Sequence, residues 1–188
     1  MILSIVIAEL TERVPLTENI HTAYLGLGSN LGDRAANLLR AVGALCGAGL
    51  DMRAMSSIYE TEPVDYLDQP DFLNMVLAVE APLDEKIDPF RLLRLCLEVE
   101  TRLGRERSIP KGARVIDIDL LLVDDVVFDG VYEGVALTLP HPRLHLRRFA
   151  LQPLAEIAPE MRHPVFGETI SRLLDRVEDK SAISLYRA

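Results

Sequence analysis

The chain has 188 residues, 49% of them hydrophobic and 26% charged, which against a norm of ~150 residues per domain fits one domain with modest extensions. A net charge of −9 excludes a surface built as a whole to hold nucleic acid or anionic lipid, so any anion site must be local. Two cysteines, Cys46 and Cys96, sit in apolar helical stretches; neither a disulfide framework nor a thiolate metal cluster is expected, and a reducing, cytoplasmic setting fits.

Residues 1–20 read as an N-terminal extension, an added strand or a loose arm. The apolar opening lacks a basic segment and a cleavage site and is too short to cross a bilayer. The patterned domain is expected over 21–160, with 161–188 a helix and tail packed on it. A strand is predicted at 22–28, then a helix at 34–45 whose Leu38, Ala41, Val42 and Leu45 share one face and which Gly47 and Gly49 close. A second strand follows at 51–59, a polar loop at 60–71 and a third strand at 72–81, ended by Pro82. Asp88 followed by Pro89 is an N-cap with proline at the first helical position, and Phe90, Leu93, Cys96, Leu97 and Leu103 recur at helical spacing until Gly104. A fourth strand is expected at 114–124, a short one at 137–139, and helices at 146–155 and 170–176. The order strand–helix–strand–strand–helix–strand predicts an α+β, ferredoxin-like βαββαβ sandwich with both helices on one face and extra helices at the C-terminal end.

The glycine-rich turn Gly26-Leu27-Gly28-Ser29-Asn30-Leu31-Gly32-Asp33 departs from a dinucleotide fingerprint, because its third glycine comes one residue late and regular crossover helices do not follow. It reads as a tight turn with Asn30 or Asp33 capping the helix. In a strand, Asp117 and Asp119 project from one face while Ile116, Ile118 and Leu120 pack on the other. Two adjacent carboxylates repel and favour a compensating cation, for which oxygen ligands suit Mg²⁺; standing alone, the pair reads equally well as a solvated edge. It is flanked by two basic clusters: Arg102, Arg105, Arg107, Lys111 and Arg114 against the single anion Glu106, and His141, Arg143, His145, Arg147 and Arg148. A glycine- and proline-containing loop of arginines beside a carboxylate pair suggests a magnesium–polyphosphate site. Cys96, Leu93 and Val99 read as core packing, His145 as a surface group, and His21 and His163 take no role.

Six segments, Leu27–Asp33, Tyr59–Pro63, Gln69–Asn74, Leu103–Arg107, Arg114–Asp119 and Leu139–Phe149, resemble in order and spacing the motifs of the 6-hydroxymethyl-7,8-dihydropterin pyrophosphokinase family across about residues 22–159. The resemblance implies a ferredoxin-like fold and a cytoplasmic, Mg²⁺-dependent transfer of diphosphate from ATP to the pterin hydroxymethyl group in folate biosynthesis, with release of AMP. It implies Asp117 and Asp119 as holders of two Mg²⁺ ions, and Arg105 and Arg114 as cations that neutralise the transferring phosphates. Glu100, Arg107, Leu120, Thr138, His141 and Arg147 then fall around ATP. Thr61, Glu62, Val64, Phe72, Asn74 and Phe149 fall around the pterin, with the two phenylalanines sandwiching the bicycle. A monomer without nucleic-acid or membrane partners is expected. The chain departs from the family pattern at Lys111, Ala113, Leu97 and Ala136, which bears on loop closure and nucleotide recognition. Two rival readings are an RNA-recognition module, opposed by the D-x-D strand and the negative charge, and a nucleotide-sensing domain that has lost turnover.

Overall fold

The computed structural model describes residues 22–64, 66–80, 88–105 and 112–187. The N-terminal extension, the end of the third strand at Ala81 and most of the basic loop, with Arg107 and Lys111, lie outside them. Eight strands and four α-helices are present among the described residues: β1 (Thr22–Ser29), α1 (Arg34–Gly47), β2 (Asp51–Met55), β3 (Tyr59–Thr61), β4 (Phe72–Glu80), α2 (Pro89–Arg102), β5 (Asp117–Val123), β6 (Phe128–Tyr132), β7 (Val135–Leu139), α3 (Arg148–Ile157), α4 (Ile170–Arg176) and β8 (Ile183–Leu185).

A six-stranded antiparallel sheet runs β5-β1-β4-β3-β8, with β2 pairing β4 alongside β3. The single strand expected at 51–59 is two strands. Met55 faces Leu77 and Tyr59 faces Asn74, so one extra residue is accommodated between them, a bulge. Ser56 holds it: its N–H donates to Val76 O at 2.9 Å, and its Oγ accepts from Val76 N at 2.9 Å. The fourth strand is shorter than expected because Arg114 and Val115 bond to the glycine-rich turn rather than to a ladder. Asn30 N donates to Arg114 O at 3.1 Å, and Ser29 Oγ donates to Val115 O at 2.6 Å.

Both faces of the sheet are covered. Helices α1 and α2 close over Leu25, Leu27, Leu73, Met75, Leu77, Ile118 and Leu120. On the opposite face α3 and α4 bury Val76, Leu121 and Leu122. Leu120 pairs with Leu25 and Leu122 with Tyr24, so a bulge at Leu121 turns two successive leucines toward the second core. α1 is capped by Asp33, whose Oδ1 accepts from Ala36 N at 3.1 Å, and α2 by Asp88, which accepts from Phe90 and Arg91 N–H, as the cap signals anticipated.

The strand expected at 137–139 belongs to a hairpin, β6–β7, whose first strand the sequence reading passed over. Its two-residue turn, Glu133 at φ 49° and Gly134 at φ 77°, has the positive φ values that antiparallel hairpins favour. It is fastened to α2 by the ring edge of Phe128 on Phe90 at 5.3 Å and by the Arg94–Glu133 ion pair at 2.5 Å. β8 likewise was not foreseen; it adds to the outer edge of β3.

Candidate active site

The sheet carries its polar chemistry at one end, where β1 finishes and β3, β4 and β5 present Thr61, Asn74 and Asp117. There Gly28 pairs with both Asn74 and Asp117. A Cβ at residue 28 would lie 2.9 Å from Asn74 Oδ1, so glycine is what lets the Asn74 amide lie across β1. Asn74 is buried and donates from Nδ2 to Thr61 Oγ1 at 2.8 Å.

Two clefts meet at β5. The first, about 230 Å³, is lined by Thr61, Glu62, Val64, Phe72, Asn74 and Phe149, which are the six residues assigned to the pterin, together with Arg105, Arg114, Asp117, Asp119, His141 and Arg147. The second, about 260 Å³, is lined by Glu100, Leu120 and Thr138 and again by Arg105, Asp117, Asp119 and His141. The two carboxylates of β5 thus stand at the junction of two separate recesses. Phe72 and Phe149, 77 positions apart in the sequence, line the same recess. Each carries a guanidinium over its ring: Arg114 lies 5.2 Å from the Phe72 centroid, and Arg147 lies 5.3 Å from that of Phe149.

Charge at the junction is arranged in pairs. Arg105 Nη1 lies 2.6 Å from Asp117 Oδ1 and also pairs with Glu100; Arg114 Nε is 3.4 Å from Asp117 Oδ2, and Arg147 Nη1 is 3.7 Å from Asp119 Oδ2. Desolvation, and then repulsion from Asp117, push Asp119 up to about 6 against the pull of Arg147, Arg114 and Arg105. One acid of the pair therefore holds its proton more tightly than an ordinary carboxyl. His141 is pushed down to about 4 by burial and by Arg147 and Arg143. Its Nδ1 accepts from Arg143 N at 3.2 Å, which leaves Nε2 as the donor of a neutral ring.

Glu100, which the resemblance places around ATP, also serves inside the fold. At 2% exposure its Oε1 accepts from Ile118 N at 2.7 Å and pairs with Arg105, and burial raises its pKa. It lines the second cleft, but its carboxylate is already committed to fixing β5 and Arg105. Leu93, expected in the core with Cys96 and Val99, is half-buried and faces the same cleft beside Leu97 and Ala136. Arg107 lies outside the described residues. Sequence reasoning missed Gln69, Arg143 and Leu121 as lining residues of the first cleft. For Arg143 a signal existed, its membership of the second basic cluster. Of the two residues that the glycine-rich turn offered as the cap of α1, Asn30 or Asp33, the structure uses Asp33. Instead Asn30, 2% exposed, donates from Nδ2 to Gln69 Oε1 at 3.1 Å and Pro70 O at 3.0 Å, and its Oδ1 accepts from Arg114 N at 2.7 Å. It ties the loop preceding Phe72 to the backbone of a site arginine.

Among the described residues no helix is long and apolar enough to cross a membrane. The family model for 7,8-dihydro-6-hydroxymethylpterin-pyrophosphokinase matches residues 24–159. The chain is 43% identical over 140 residues to 2-amino-4-hydroxy-6-hydroxymethyldihydropteridine pyrophosphokinase of Bacillus subtilis, covering 74% of this chain and 79% of that protein. It is 42% identical over 162 residues to the protein of the same name from Methylorubrum extorquens, covering 83% and 93%. It is also 39% identical over 165 residues to the folic acid synthesis protein fol1 of Schizosaccharomyces pombe, covering 87% of this chain but only 21% of that longer protein. Among solved structures, HPPK-DHPS of Plasmodium falciparum superposes with a TM-score of 0.66 at 17% identity, over 87% of this chain and 46% of that one; at that identity the likeness concerns the fold. By the extent of the family match and the identity to its bacterial relatives, this chain belongs to the 7,8-dihydro-6-hydroxymethylpterin-pyrophosphokinase family.

Proposed function

We propose that this protein transfers diphosphate from ATP to the hydroxymethyl group of 6-hydroxymethyl-7,8-dihydropterin, releasing AMP, as a step of folate biosynthesis in the cytoplasm. The observation that carries the reading is the junction: two recesses of different chemistry share Arg105, Asp117, Asp119 and His141, so two substrates bound in them meet at one charged centre. The antiparallel order β5-β1-β4, with β2 and β3 beyond it, supports a ferredoxin-like frame.

The first recess suits a flat, polar-edged heterocycle. Phe72 and Phe149 supply ring faces, and Asn74 and Thr61 supply an amide and a hydroxyl on a buried floor to meet the amide-like edge of a pterin. The second suits a nucleoside. Leu93, Leu97, Leu120 and Ala136 make an apolar slot, and β5 is an edge strand of the main sheet whose backbone at Leu120 points off the sheet on the side where Ile118 N meets Glu100. The departures Leu97 and Ala136 lie in this slot, so the base is held there by shape and backbone.

In the transfer, the pterin hydroxyl oxygen bonds to the β-phosphorus of ATP while the bond from that phosphorus to the α–β bridging oxygen breaks, and AMP leaves with that oxygen. Asp119 lines both recesses and is the group placed to accept the hydroxyl proton. Arg105 and Arg114 neutralise charge on the transferring group, and His141 and Arg147 hold the nucleotide phosphates. Magnesium fits the donor set. Asp117 and Asp119 offer only carboxylate oxygens from one face of β5, and no cluster of three acidic, histidine or cysteine ligands occurs among the described residues; Mg²⁺ takes one or two carboxylates and completes its shell from phosphates and water. Two bound Mg²⁺ ions would supply charge neutralisation of the triphosphate.

The reading is tested by AMP release from ATP, measured with and without 6-hydroxymethyl-dihydropterin and Mg²⁺. Release dependent on both is expected. Tight binding of both substrates without AMP formation would instead make the chain a nucleotide sensor.

A further inference from the structure

The family match ends at residue 159, yet the chain beyond it reaches back to both walls of the first recess. One wall begins at α3, whose second residue is Phe149. This helix has no side-chain cap from its own N-cap residue, Arg147, and no acid in its first turn. The cap comes from 31 positions downstream: Asp179 Oδ2 accepts from Arg148 N at 2.9 Å, while its Oδ1 accepts from Ser181 N at 2.9 Å and Ser181 Oγ at 2.6 Å. The other wall is the end of β3. There Ala182 and Glu62 bond reciprocally, Glu62 N to Ala182 O at 3.3 Å and Ala182 N to Glu62 Oε2 at 3.1 Å, and Thr61 pairs with Ile183. The segment is anchored at both ends. Val177 is buried in the core under α3 and α4, and Tyr186 packs against the core of the other sheet face and donates its N–H to Ile58 O at 2.9 Å.

We propose that residues 177–186 form a strap that fixes the width of the pterin recess by tying the start of α3 to the end of β3, with Asp179 and Ala182 as its positioning residues. The inference rests on the assignment of that recess to the pterin. Neither residue lines either cleft, so both act through Phe149, Thr61 and Glu62. The nucleotide recess shares no residue with the strap or with those three. Loosening the strap therefore lowers the fraction of molecules with a competent pterin recess and raises the apparent pterin dissociation constant in inverse proportion to that fraction, with a smaller effect on the nucleotide through Arg147, the N-cap residue of α3.

The test compares Asp179→Ala, Asp179→Asn and Ala182→Pro in the full chain. The first removes the distant cap, the second keeps one acceptor, and the third removes the N–H that Glu62 accepts while fixing φ at 182 and restricting Ser181 before it. Loss of a helix cap corresponds to at most about a fivefold rise in pterin KM for Asp179→Ala, with a smaller rise for Asp179→Asn. The KM for ATP should stay unchanged in Ala182→Pro, which acts at the β3 wall, and rise less than the pterin KM in the two Asp179 variants, which also bear on Arg147 at the start of α3. Amide hydrogen exchange gives a readout independent of turnover: in Asp179→Ala, exchange should quicken both at Arg148 on α3 and at the β3–β8 pairs around Glu62. Parallel changes in both KM values, or quickened exchange confined to Arg148, would overturn the strap. A parent protein without pterin-dependent AMP release would overturn the functional reading instead, and the exchange pattern would still decide whether the two walls are coupled.

Discussion

Asp117 and Asp119 stand two residues apart on one strand, but their surroundings differ. Asp117 is paired with Arg105 and Arg114, whereas Asp119 has Arg147 at 3.7 Å and its pKa is pushed up to about 6 by desolvation and by Asp117. Replacing either with Asn removes a carboxylate from the junction, and turnover should fall at least ~100-fold in both. Stability should separate them. A carboxyl whose folded pKa lies above its unfolded value destabilises the fold wherever it is ionised, so Asp119→Asn is expected to raise Tm at pH 7.5. Asp117→Asn gives up two ion pairs and is expected to leave Tm level or lower it. Near-parent turnover in both variants at saturating Mg²⁺ would remove the shared role. Gly28 has an equally local argument: its Ala variant puts a methyl 2.9 Å from Asn74 Oδ1, and displacing that amide should weaken pterin binding by about 1–3 kcal/mol while calorimetry with a non-hydrolysable ATP shows nucleotide affinity held.

Elements with a strong period or a cap were legible from sequence because the forces that make them are local. Asp88 and Pro89 start α2 where expected, and Leu38, Ala41, Val42 and Leu45 are buried on α1. The pieces passed over depend on distant partners. β8 is three residues, Ile183–Leu185, and exists because β3 offers an edge. Phe128–Tyr132 becomes a strand by pairing with β7 and packing on Phe90. The site divides in the same way. The D-x-D face of β5 follows from strand period alone, whereas the roles of Asn30 and Glu100 depend on groups far along the chain, Pro70 and Arg114 in one case and Ile118 in the other. A polar residue at a helix start reads as a cap until those partners are in place. The same division shapes the outcome for the two aromatic walls. Phe149 is half-buried at the start of α3, and its Ala variant should lose about 1–3 kcal/mol of pterin affinity. Phe72 is 8% exposed, so truncation there adds a core cavity costing about 3–5 kcal/mol of stability, and Phe72→Leu is the fairer probe of stacking. Unchanged pterin affinity in Phe149→Ala and Phe72→Leu would rule out the sandwich.

For the molecule as a whole, acid should unfold the protein earlier than its carboxylates alone require, because two histidines are held neutral. His163 is 3% exposed, its ring lies 4.5 Å from that of Phe166, its Nδ1 accepts from Val165 N at 3.3 Å, and its Nε2 is buried with no hydrogen-bond partner among the described residues. Burial, and then the neighbouring His145, lower its pKa from 6.5 to about 4. His141 is lowered to about 4 by burial and then by Arg147 and Arg143. Between these values and ~6.5 the unfolded chain binds protons at both positions that the folded chain refuses, so stability is complete above ~6.5 and declines as pH falls toward about 4. Protonating Nδ1 of His163 also forfeits the bond from Val165. Asp119 works in the opposite sense, since taking up its proton near pH 6 relieves its burial, but two histidines outweigh one carboxyl. Thermal unfolding between pH 7.5 and 4.5 should therefore show a falling Tm, with a shallower fall in His163→Phe, which keeps a flat ring against Phe166 and removes the titration. Arg147 bears on His141 and is proposed to hold the nucleotide phosphates, so the comparison belongs to the ligand-free protein. An equal fall in parent and variant would place the acid sensitivity in His141 instead, because Asp179, whose pKa is lowered, stabilises the strap while it remains ionised and gives way only at a lower pH than the histidines.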